Sequence, residues 1–196
     1  MVDAVSRQAM AGHRDGARSL RNPSNLKPLM QDDETIRVVI ETPKGSRNKY
    51  AFDADERVFV LKKVLPAGMT FPYDFGFVPS TRAEDDDPVD VLVLMDEPAF
   101  SGCVLKCRLV GVIEGEEIDG KKKIRNDRLV AVERANHSYA TVKHIRDLGK
   151  AFVRELEAFF VNYHSLSSKH YRIVDVRGPR EARRRLDAGR RATRKS

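Results

Sequence analysis

Six short segments with strand-like patterns follow one another between Ile36 and Glu133, with no helical pattern between them. The segments are 36–41, 49–53, 57–64, 89–95, 102–115 and 128–133. Consecutive strands without crossover helices favour a small barrel or a curled antiparallel sheet. The spacing of apolar residues changes in 147–164, where they recur at helical spacing. Residues 171–176 predict one more strand. We therefore expect an α+β, mainly β fold with a helix packed outside the strands.

The segment PVDVLVLM, residues 88–95, predicts a strand that is buried on both faces. Alternate side chains point to opposite faces of a strand. One face carries Val89, Val91 and Val93, and the other carries Asp90, Leu92 and Leu94. An unpaired carboxylate at the edge of a core is costly, so Asp90 needs a cation beside it. Asp85 and Asp87, in the acidic run before the strand, can converge with Asp90 around one centre.

Carboxylate ligands without His or Cys favour a hard ion such as Mg²⁺ or Mn²⁺. An EF-hand calcium loop is excluded, because its sixth position requires glycine and would be Asp90. A solvated acidic turn is the alternative interpretation of the run. Cationic residues favour the metal interpretation, since carboxylates combined with Lys and Arg suit a metal–phosphate substrate. The candidate cations are Lys44, Arg47, Lys49, Lys62, Lys63, Arg125 and Arg128.

The basic charge of the chain lies at its C-terminus. Residues 177–196 contain nine basic and two acidic residues, which accounts for the whole formal net charge of +7. We therefore expect a flexible N-terminal arm at 1–33, a barrel domain at 34–176 and an Arg-rich C-terminal tail at 177–196. A basic tail attracts nucleic acid or anionic surfaces, but a solvated and partly helical terminus is the favoured interpretation.

The sequence also predicts the cellular setting. No apolar run reaches membrane-spanning length and the N-terminus lacks the apolar centre of a signal peptide, so we expect a cytoplasmic protein without membrane contact. Cys103 and Cys107 lie four residues apart in a predicted strand, roughly 13 Å from each other, which is beyond disulfide reach. Both are expected to be reduced.

The run DDDPVDVLVL contains a D-x-D-P-x-D signature, and the chain resembles the family I soluble inorganic pyrophosphatases. The segments VVIETP…KY, FPYDFGFVPST, CRLVGVI and RLVAV carry the rest of the resemblance, which runs from Ile36 to Tyr163. It implies a small, distorted, five-stranded OB-like barrel with flanking helices. It also implies hydrolysis of pyrophosphate to two orthophosphates with Mg²⁺, for which Mn²⁺ can substitute. The implied assembly is a homo-oligomer, a hexamer in bacterial members.

The resemblance also implies roles for individual residues. Asp87 would accept a proton from the attacking water, and Asp90 would bridge two metal ions. The implied metal ligands are Glu41, Asp85, Asp87, Asp90, Asp119, Asn126 and Asp127. The implied substrate-binding residues are Lys49, Lys63, Arg128, Tyr163 and His164. In the second metal loop the register is open between Glu117 and Asp119, and between Asn126 and Asp127.

Several positions depart from the family's pattern. Ala51 stands for a glutamate, Lys63 for an arginine, Phe71 and Phe75 for tyrosines, Asn126 for an aspartate, and Arg128 and His164 for lysines. Losing one hydrogen bond to a charged phosphate costs about 1.5–3 kcal/mol, which slows an enzyme without silencing it. Asn126 is the more serious change, because an amide oxygen is a weaker Mg²⁺ ligand than a carboxylate.

The leading hypothesis is thus a Mg²⁺-dependent inorganic pyrophosphatase. One alternative keeps the fold and changes the substrate to another diphosphate, or leaves a weakened pseudo-enzyme. A second alternative is a nucleic-acid-binding barrel that uses the basic tail. Against it, the tail has no aromatic residue for base stacking, and the acidic signature would repel phosphate.

Overall fold

The computed structural model describes residues 22–120, 122–167 and 170–193, so most of the predicted N-terminal arm lies outside the described residues. Within these ranges the chain forms strands and two α-helices. The strands are β1 (Thr35–Thr42), β2 (Asn48–Asp53), β3 (Val58–Val64), β4 (Asp74–Phe77), β5 (Asp90–Leu94), β6 (Val104–Asp119), β7 (Lys122–Arg125), β8 (Arg128–Glu133) and β9 (His170–Arg177). The helices are α1 (Gly149–Ser165) and α2 (Pro179–Thr193), with short 3₁₀ helices at Pro23–Asn25 and Ile145–Leu148.

Five strands close into a ring in the order β1-β4-β5-β8-β6, because β1 pairs with both β4 and β6. All pairings in the ring are antiparallel except β5 with β8, which are parallel. The far part of β6 leaves the ring and pairs with β7 and β9, while β2 and β3 form a separate hairpin. The predicted mainly-β fold with five ring strands and flanking helices is confirmed.

Strand β5 separates two apolar clusters, as its pattern predicts. Val91 and Val93 lie in the cluster inside the ring. Leu92 and Leu94 lie in the cluster between the ring and α1. Helix α1 contributes Phe152, Leu156, Phe160 and His164 as its buried residues, at the spacing of one helical face. Asp90 shares the face of Leu92, so its carboxylate belongs to the side on which α1 packs.

Residues 177–193 pack on the ring, which differs from the solvated and partly helical tail that the sequence predicts. Strand β9 pairs with β6, and α2 packs on the ring through Ala182, Leu186 and Gly189, which are buried. These three small or apolar residues recur at helical spacing between arginines, and several of the arginines pair with acids. The basic residues therefore cover a folded helix rather than a solvated tail.

Two further strands were not predicted from the sequence. Strand β4 is only four residues long, and β7 is built from Lys122–Arg125, a charged segment assigned to a loop. The two cysteines are free, as expected. Among the described residues no helix has the length and apolar character needed to cross a membrane.

We expect Leu186→Ala to destabilise the protein by about 2–5 kcal/mol, because it empties a fully buried position between α2 and the ring. Leu166→Ala is the matched control, since Leu166 is 47% exposed, and it should cost less than about 0.5 kcal/mol. Urea unfolding of both variants measures the difference. Equal midpoints would show that α2 does not belong to the cooperative core.

Candidate active site

A cleft of about 720 Å³ opens where β5 and β8 begin. These strands are parallel, with Val91 opposite Leu129, so the first residues of both strands, Asp90 and Arg128, lie side by side. The acidic residues of the lining are Glu41, Asp85, Asp86, Asp87, Asp90 and Glu117, and the basic ones are Lys49, Lys62, Lys63 and Arg128. The cleft thus presents carboxylates and cations to the same space.

Asp90 is the most perturbed carboxylate of the cleft. Burial is the main cause that raises the pKa of Asp90 to about 7; the charges of Arg128 and Lys49 lower it, and those of Glu41 and Asp85 make smaller contributions that raise it. Burial also raises the pKa of Asp85, with a smaller contribution from Asp87. The carboxylates on this side of the cleft therefore repel one another.

The acidic run forms a tight turn at the cleft mouth. The backbone N–H of Asp87 donates to Asp85 (3.3 Å), and the carbonyl of Asp87 accepts from the N–H of Ala83 (2.7 Å). Asp86 has a positive φ of 72° and forms an ion pair with Arg82 on the surface. Asp87 is exposed at the mouth, so solvent reaches its carboxylate.

Glu41 and Lys49 face each other from β1 and β2. The Lys49 Nζ lies 3.6 Å from Glu41 Oε2, and the other oxygen of Glu41 accepts from the N–H of Phe52. The ammonium also lies 4.3 Å from the ring centroid of Phe75, a cation–π distance. The phenylalanine at this position therefore still contacts the cation, although it has no hydroxyl to donate.

Arg128 is 3% exposed and packs into the corner formed by two adjacent aromatic rings. Its guanidinium carbon lies 3.9 Å from the centroid of Phe160 and 4.6 Å from that of Tyr171. Nη1 donates to the carbonyl of Asn126 (3.3 Å), and Nε has no hydrogen-bond partner among the described residues. Because Arg128 lines the cleft, its guanidinium can bind an anion there.

His164 joins Arg128 to Glu117. Its Nδ1 lies 3.0 Å from Glu117 Oε2, and its Nε2 lies 3.1 Å from Arg128 Nη2. A neutral imidazole with the proton on Nδ1 satisfies both contacts, because it donates to the carboxylate and accepts from the guanidinium. His164 thus contacts Arg128 rather than standing as an independent cation.

The remaining wall of the cleft is aromatic. Phe71 packs against Phe75 and against Tyr163 of α1, with ring centroids 5.9 and 5.8 Å apart. Lys63 Nζ lies 3.7 Å from the centroid of Tyr163. Burial raises the pKa of Tyr163 to about 12, so its hydroxyl is protonated and can donate at neutral pH.

Most of the predicted site residues meet in the cleft. Those that line it are Glu41, Lys49, Lys63, Asp85, Asp87, Asp90, Asn126, Arg128, Tyr163 and His164. The described lining does not include Asp127, whose carboxylate is bound by Arg125 (2.9 Å) and Arg185 (3.3 Å). Asp119 is paired in register with Lys122, at the opposite end of the β6–β7 hairpin from Arg125.

The two parts of the predicted metal site differ in their fit to a hard divalent cation. Asp85, Asp87, Asp90 and Glu41 offer oxygen donors only, and a cation would compensate the charge of Asp90, whose pKa is raised mainly by burial. In the second loop, Glu117 is engaged by His164 and Asp127 by arginines. Within the described residues no three His, Cys, Asp or Glu side chains form a preassembled metal cluster. The acidic turn therefore fits the ion better than the second loop does.

Phe160 and Tyr171 were not identified from the sequence as site residues. Phe160 was assigned to the apolar stripe of α1, and nothing in the pattern around Tyr171 indicates a contact with Arg128. Space for the Tyr171 ring depends on Gly115, where a Cβ would lie 1.9 Å from the tyrosine hydroxyl. No local signal predicts such a contact, because it depends on the pairing of β6 with β9.

The chain was compared with known families, proteins and structures. It matches the inorganic pyrophosphatase family over residues 38–194. It is 42% identical to an inorganic pyrophosphatase of a Synechocystis species over 134 residues, 68% of this chain and 77% of the relative. It is 35% identical to that of Thermus thermophilus over 167 residues, 84% and 93% of the two chains.

Solved structures agree with these relatives. The fold matches the crystal structure of the inorganic pyrophosphatase from Thermus thermophilus with a TM-score of 0.81 at 30% identity, covering 89% of this chain and 99% of that one. It matches the Helicobacter pylori inorganic pyrophosphatase with a TM-score of 0.78 at 31% identity, covering 86% and 98%.

The chain belongs to the inorganic pyrophosphatase family, a family of metal-dependent hydrolases. It is an inorganic diphosphatase, which hydrolyses inorganic pyrophosphate. The family match extends through α2.

The raised pKa of Asp90 predicts a pH-dependent stability of the metal-free protein. Between pH 4 and 7 the folded state binds more protons at Asp90 than the unfolded state does, so its contribution to stability falls as pH rises. In EDTA, we expect Asp90→Asn to gain roughly 2–4 kcal/mol relative to the wild type between pH 5 and 8. Urea unfolding across this range measures the gain.

Asp96→Asn is the control for this experiment. Hydrogen bonds from the N–H groups of His137 and Ser138 lower the pKa of Asp96 to about 2, so its contribution is complete above pH 4. The cost of Asp96→Asn should therefore stay constant from pH 5 to 8. A constant difference for Asp90→Asn as well would mean that Asp90 ionises normally in the folded protein.

Proposed function

We propose that pyrophosphate binds across this cleft, with its phosphoryl oxygens on Arg128, Lys49 and Lys63 and with divalent cations on the acidic side. The observation that carries the proposal is the adjacency of Asp90 and Arg128 at the starts of two parallel strands. A carboxylate that needs a cation and a buried guanidinium with an unused donor then face one space. A metal–diphosphate substrate supplies both missing charges.

We propose Mg²⁺ as the ion, with Mn²⁺ as a substitute, held by Glu41, Asp85, Asp87 and Asp90. When bound, such an ion withdraws charge from the phosphoryl oxygens and acidifies the attacking water. Oxygen-only donors support this choice. The second loop, with Asp119, Asn126 and Asp127, is the weaker candidate for further ligands, because Asp127 is held by arginines.

Asp87 is the proposed general base. Support comes from its exposure at the cleft mouth and from its position between Asp85 and Asp90 in the chain. A base there takes the proton of a water that approaches phosphorus from solvent, on the side away from Arg128.

Arg128 is proposed to stabilise charge on the leaving phosphate. The flanking rings of Phe160 and Tyr171 keep the guanidinium plane fixed, and the contact with His164 limits its rotation. Tyr163, whose hydroxyl stays protonated, is a proposed donor to the same phosphate. His164 acts in this scheme by orienting Arg128, whereas the sequence predicts that it contacts phosphate directly through a positive charge.

We further propose that the protein is a homo-oligomer, a hexamer by resemblance. Val58, Leu61, Val64 and Phe100 are large apolar residues that are exposed in the single chain, which favours a further contact. Light scattering after size-exclusion chromatography measures the state, and a monomer would contradict the proposal. A nucleic-acid function has no support from α2, because residues of the helix pack in the core and its arginines form ion pairs.

Substitutions in the acidic turn test the proposed roles. Asp87→Asn and Asp90→Asn should each lower orthophosphate release from pyrophosphate by roughly a hundredfold or more. Asp86→Asn is the matched control in the same turn, because Asp86 is paired with Arg82 on the surface and asparagine tolerates its positive φ. It should retain most of the wild-type rate. Half or more of the rate in both Asp87→Asn and Asp90→Asn would refute their assignment.

A second pair of variants tests the neutral role of His164. Glutamine can also donate to Glu117 and accept from Arg128, so His164→Gln should keep kcat/KM within about threefold of the wild type. His164→Ala leaves both partners unpaired and should lower kcat/KM about tenfold or more. Steady-state kinetics at neutral pH compares them. Equal losses in the two variants would indicate that His164 acts through its own charge.

A further inference from the structure

Helix α2 is connected to the edge of the cleft by four alternating charges, here called the charge square: Glu114, Arg125, Asp127 and Arg185. Arg185 Nη2 lies 2.7 Å from Glu114 Oε1, and its Nε lies 3.3 Å from Asp127 Oδ2. Arg125 contacts the same two acids, at 3.0 Å from Glu114 and 2.9 Å from Asp127. Each acid therefore contacts both arginines.

The acids of the charge square are largely withdrawn from solvent. The side chains of Glu114 and Asp127 are 11% and 14% exposed. Removing one partner of such a buried pair is costly, because the remaining charge stays buried without full compensation. Without Arg185, two carboxylates would share Arg125 alone. The loop that carries Asp127 would then lose one of its two cationic contacts.

The charge square controls the backbone that presents Arg128 to the cleft. Asp127 Oδ1 accepts from the N–H of Gly115 (3.1 Å), and the N–H of Asn126 donates to the Gly115 carbonyl (2.9 Å). The carbonyl of Asn126 accepts in turn from Arg128 Nη1 and from the hydroxyl of Tyr171. A shift of Asp127 therefore moves the groups that hold the Arg128 guanidinium.

Other arginines of α2 make different contacts. Arg184 pairs with Glu181 on the same helix and its side chain is 78% exposed. Arg190 pairs with Asp187, also on the same helix. Arg185 is thus distinguished by its reach across to β6 and to the loop before β8.

We propose that Arg185 is a positioning residue for pyrophosphate hydrolysis, which acts through Asp127 on the loop that orients Arg128. The described lining of the cleft does not include Arg185, so this residue does not touch substrate. Its role is to fix the position of the Arg128 guanidinium. The inference rests on the proposed role of Arg128 in binding the phosphate.

The test is a double-mutant cycle between Arg185 and Arg128, measured as kcat and KM for pyrophosphate well below the melting temperature of each variant. Arg185→Gln should lower kcat/KM about tenfold, since small misplacement of a charged donor is costly to catalysis. In an Arg128→Gln background the same change should cost less than about threefold, because the group it positions is gone. Arg190→Gln is the matched control on the same helix, because Arg190 pairs with Asp187, whereas Arg184 shares Glu181 with Arg185 (3.4 Å). It should stay within about twofold of the wild type.

A merely structural role predicts a different result. Arg185→Gln would then lower the melting temperature and leave the kcat/KM of the folded protein unchanged. Alternatively, the fold-decrease in kcat/KM caused by Arg185→Gln would be the same with and without Arg128→Gln. Either outcome overturns the proposal. If Arg185→Gln does not fold, Arg185→Lys carries the test. Lysine cannot bridge both acids as a planar guanidinium does, so kcat/KM should still fall several-fold, and an unchanged value overturns the proposal.

The wild-type rate separates the two levels of the argument. If the wild type releases orthophosphate in a Mg²⁺-dependent reaction and Arg185→Gln keeps the wild-type kcat/KM, only the role of Arg185 is contradicted. A wild-type rate that Arg128→Gln does not change contradicts instead the assignment of Arg128 on which the inference rests.

Discussion

The site depends on the parallel pairing of β5 with β8. This pairing puts the first residues of the two strands, Asp90 and Arg128, beside each other on one face. Both strands continue into the apolar cluster beneath α1, so neither side chain can turn away without exposing that cluster. A half-buried carboxylate and a buried guanidinium are thereby held at a cleft that both of them line, where each can bind a ligand of opposite charge.

The substitutions that distinguish this chain from the family's pattern are accommodated by contacts that the structure makes visible. Lys49 lies over the Phe75 ring, so the loss of a tyrosine hydroxyl leaves a cation–π contact. Arg128 and His164 both stand where the pattern has lysines, and they contact each other. The two changes fit as a pair, because His164 Nε2 can accept a hydrogen bond from Arg128 Nη2 (3.1 Å).

Much of the fold was predictable because its signals are local. The alternation around Asp90 predicted a strand buried on both faces, and the spacing of Phe152, Leu156 and Phe160 predicted α1. The packing of α2 on the ring was not predicted, because its arginines dominate the composition and hide the apolar spacing of Ala182 and Leu186. The orientation of the Asp127 side chain was not predictable either, because it depends on a contact with Arg185. Arg185 lies 58 positions later in the chain, and only the folded structure brings the two residues together.

The most direct measurement is the anomalous diffraction of crystals grown with Mn²⁺ and a non-hydrolysable imidodiphosphate. We predict an anomalous peak within coordination distance of Asp85, Asp87 or Asp90. One phosphate group of the imidodiphosphate should lie beside Asp90, and the other should contact Arg128 and Lys49. Ions bound away from these carboxylates, or a diphosphate that does not contact Arg128, would contradict the division of the cleft into a cation-binding side and a phosphate-binding side.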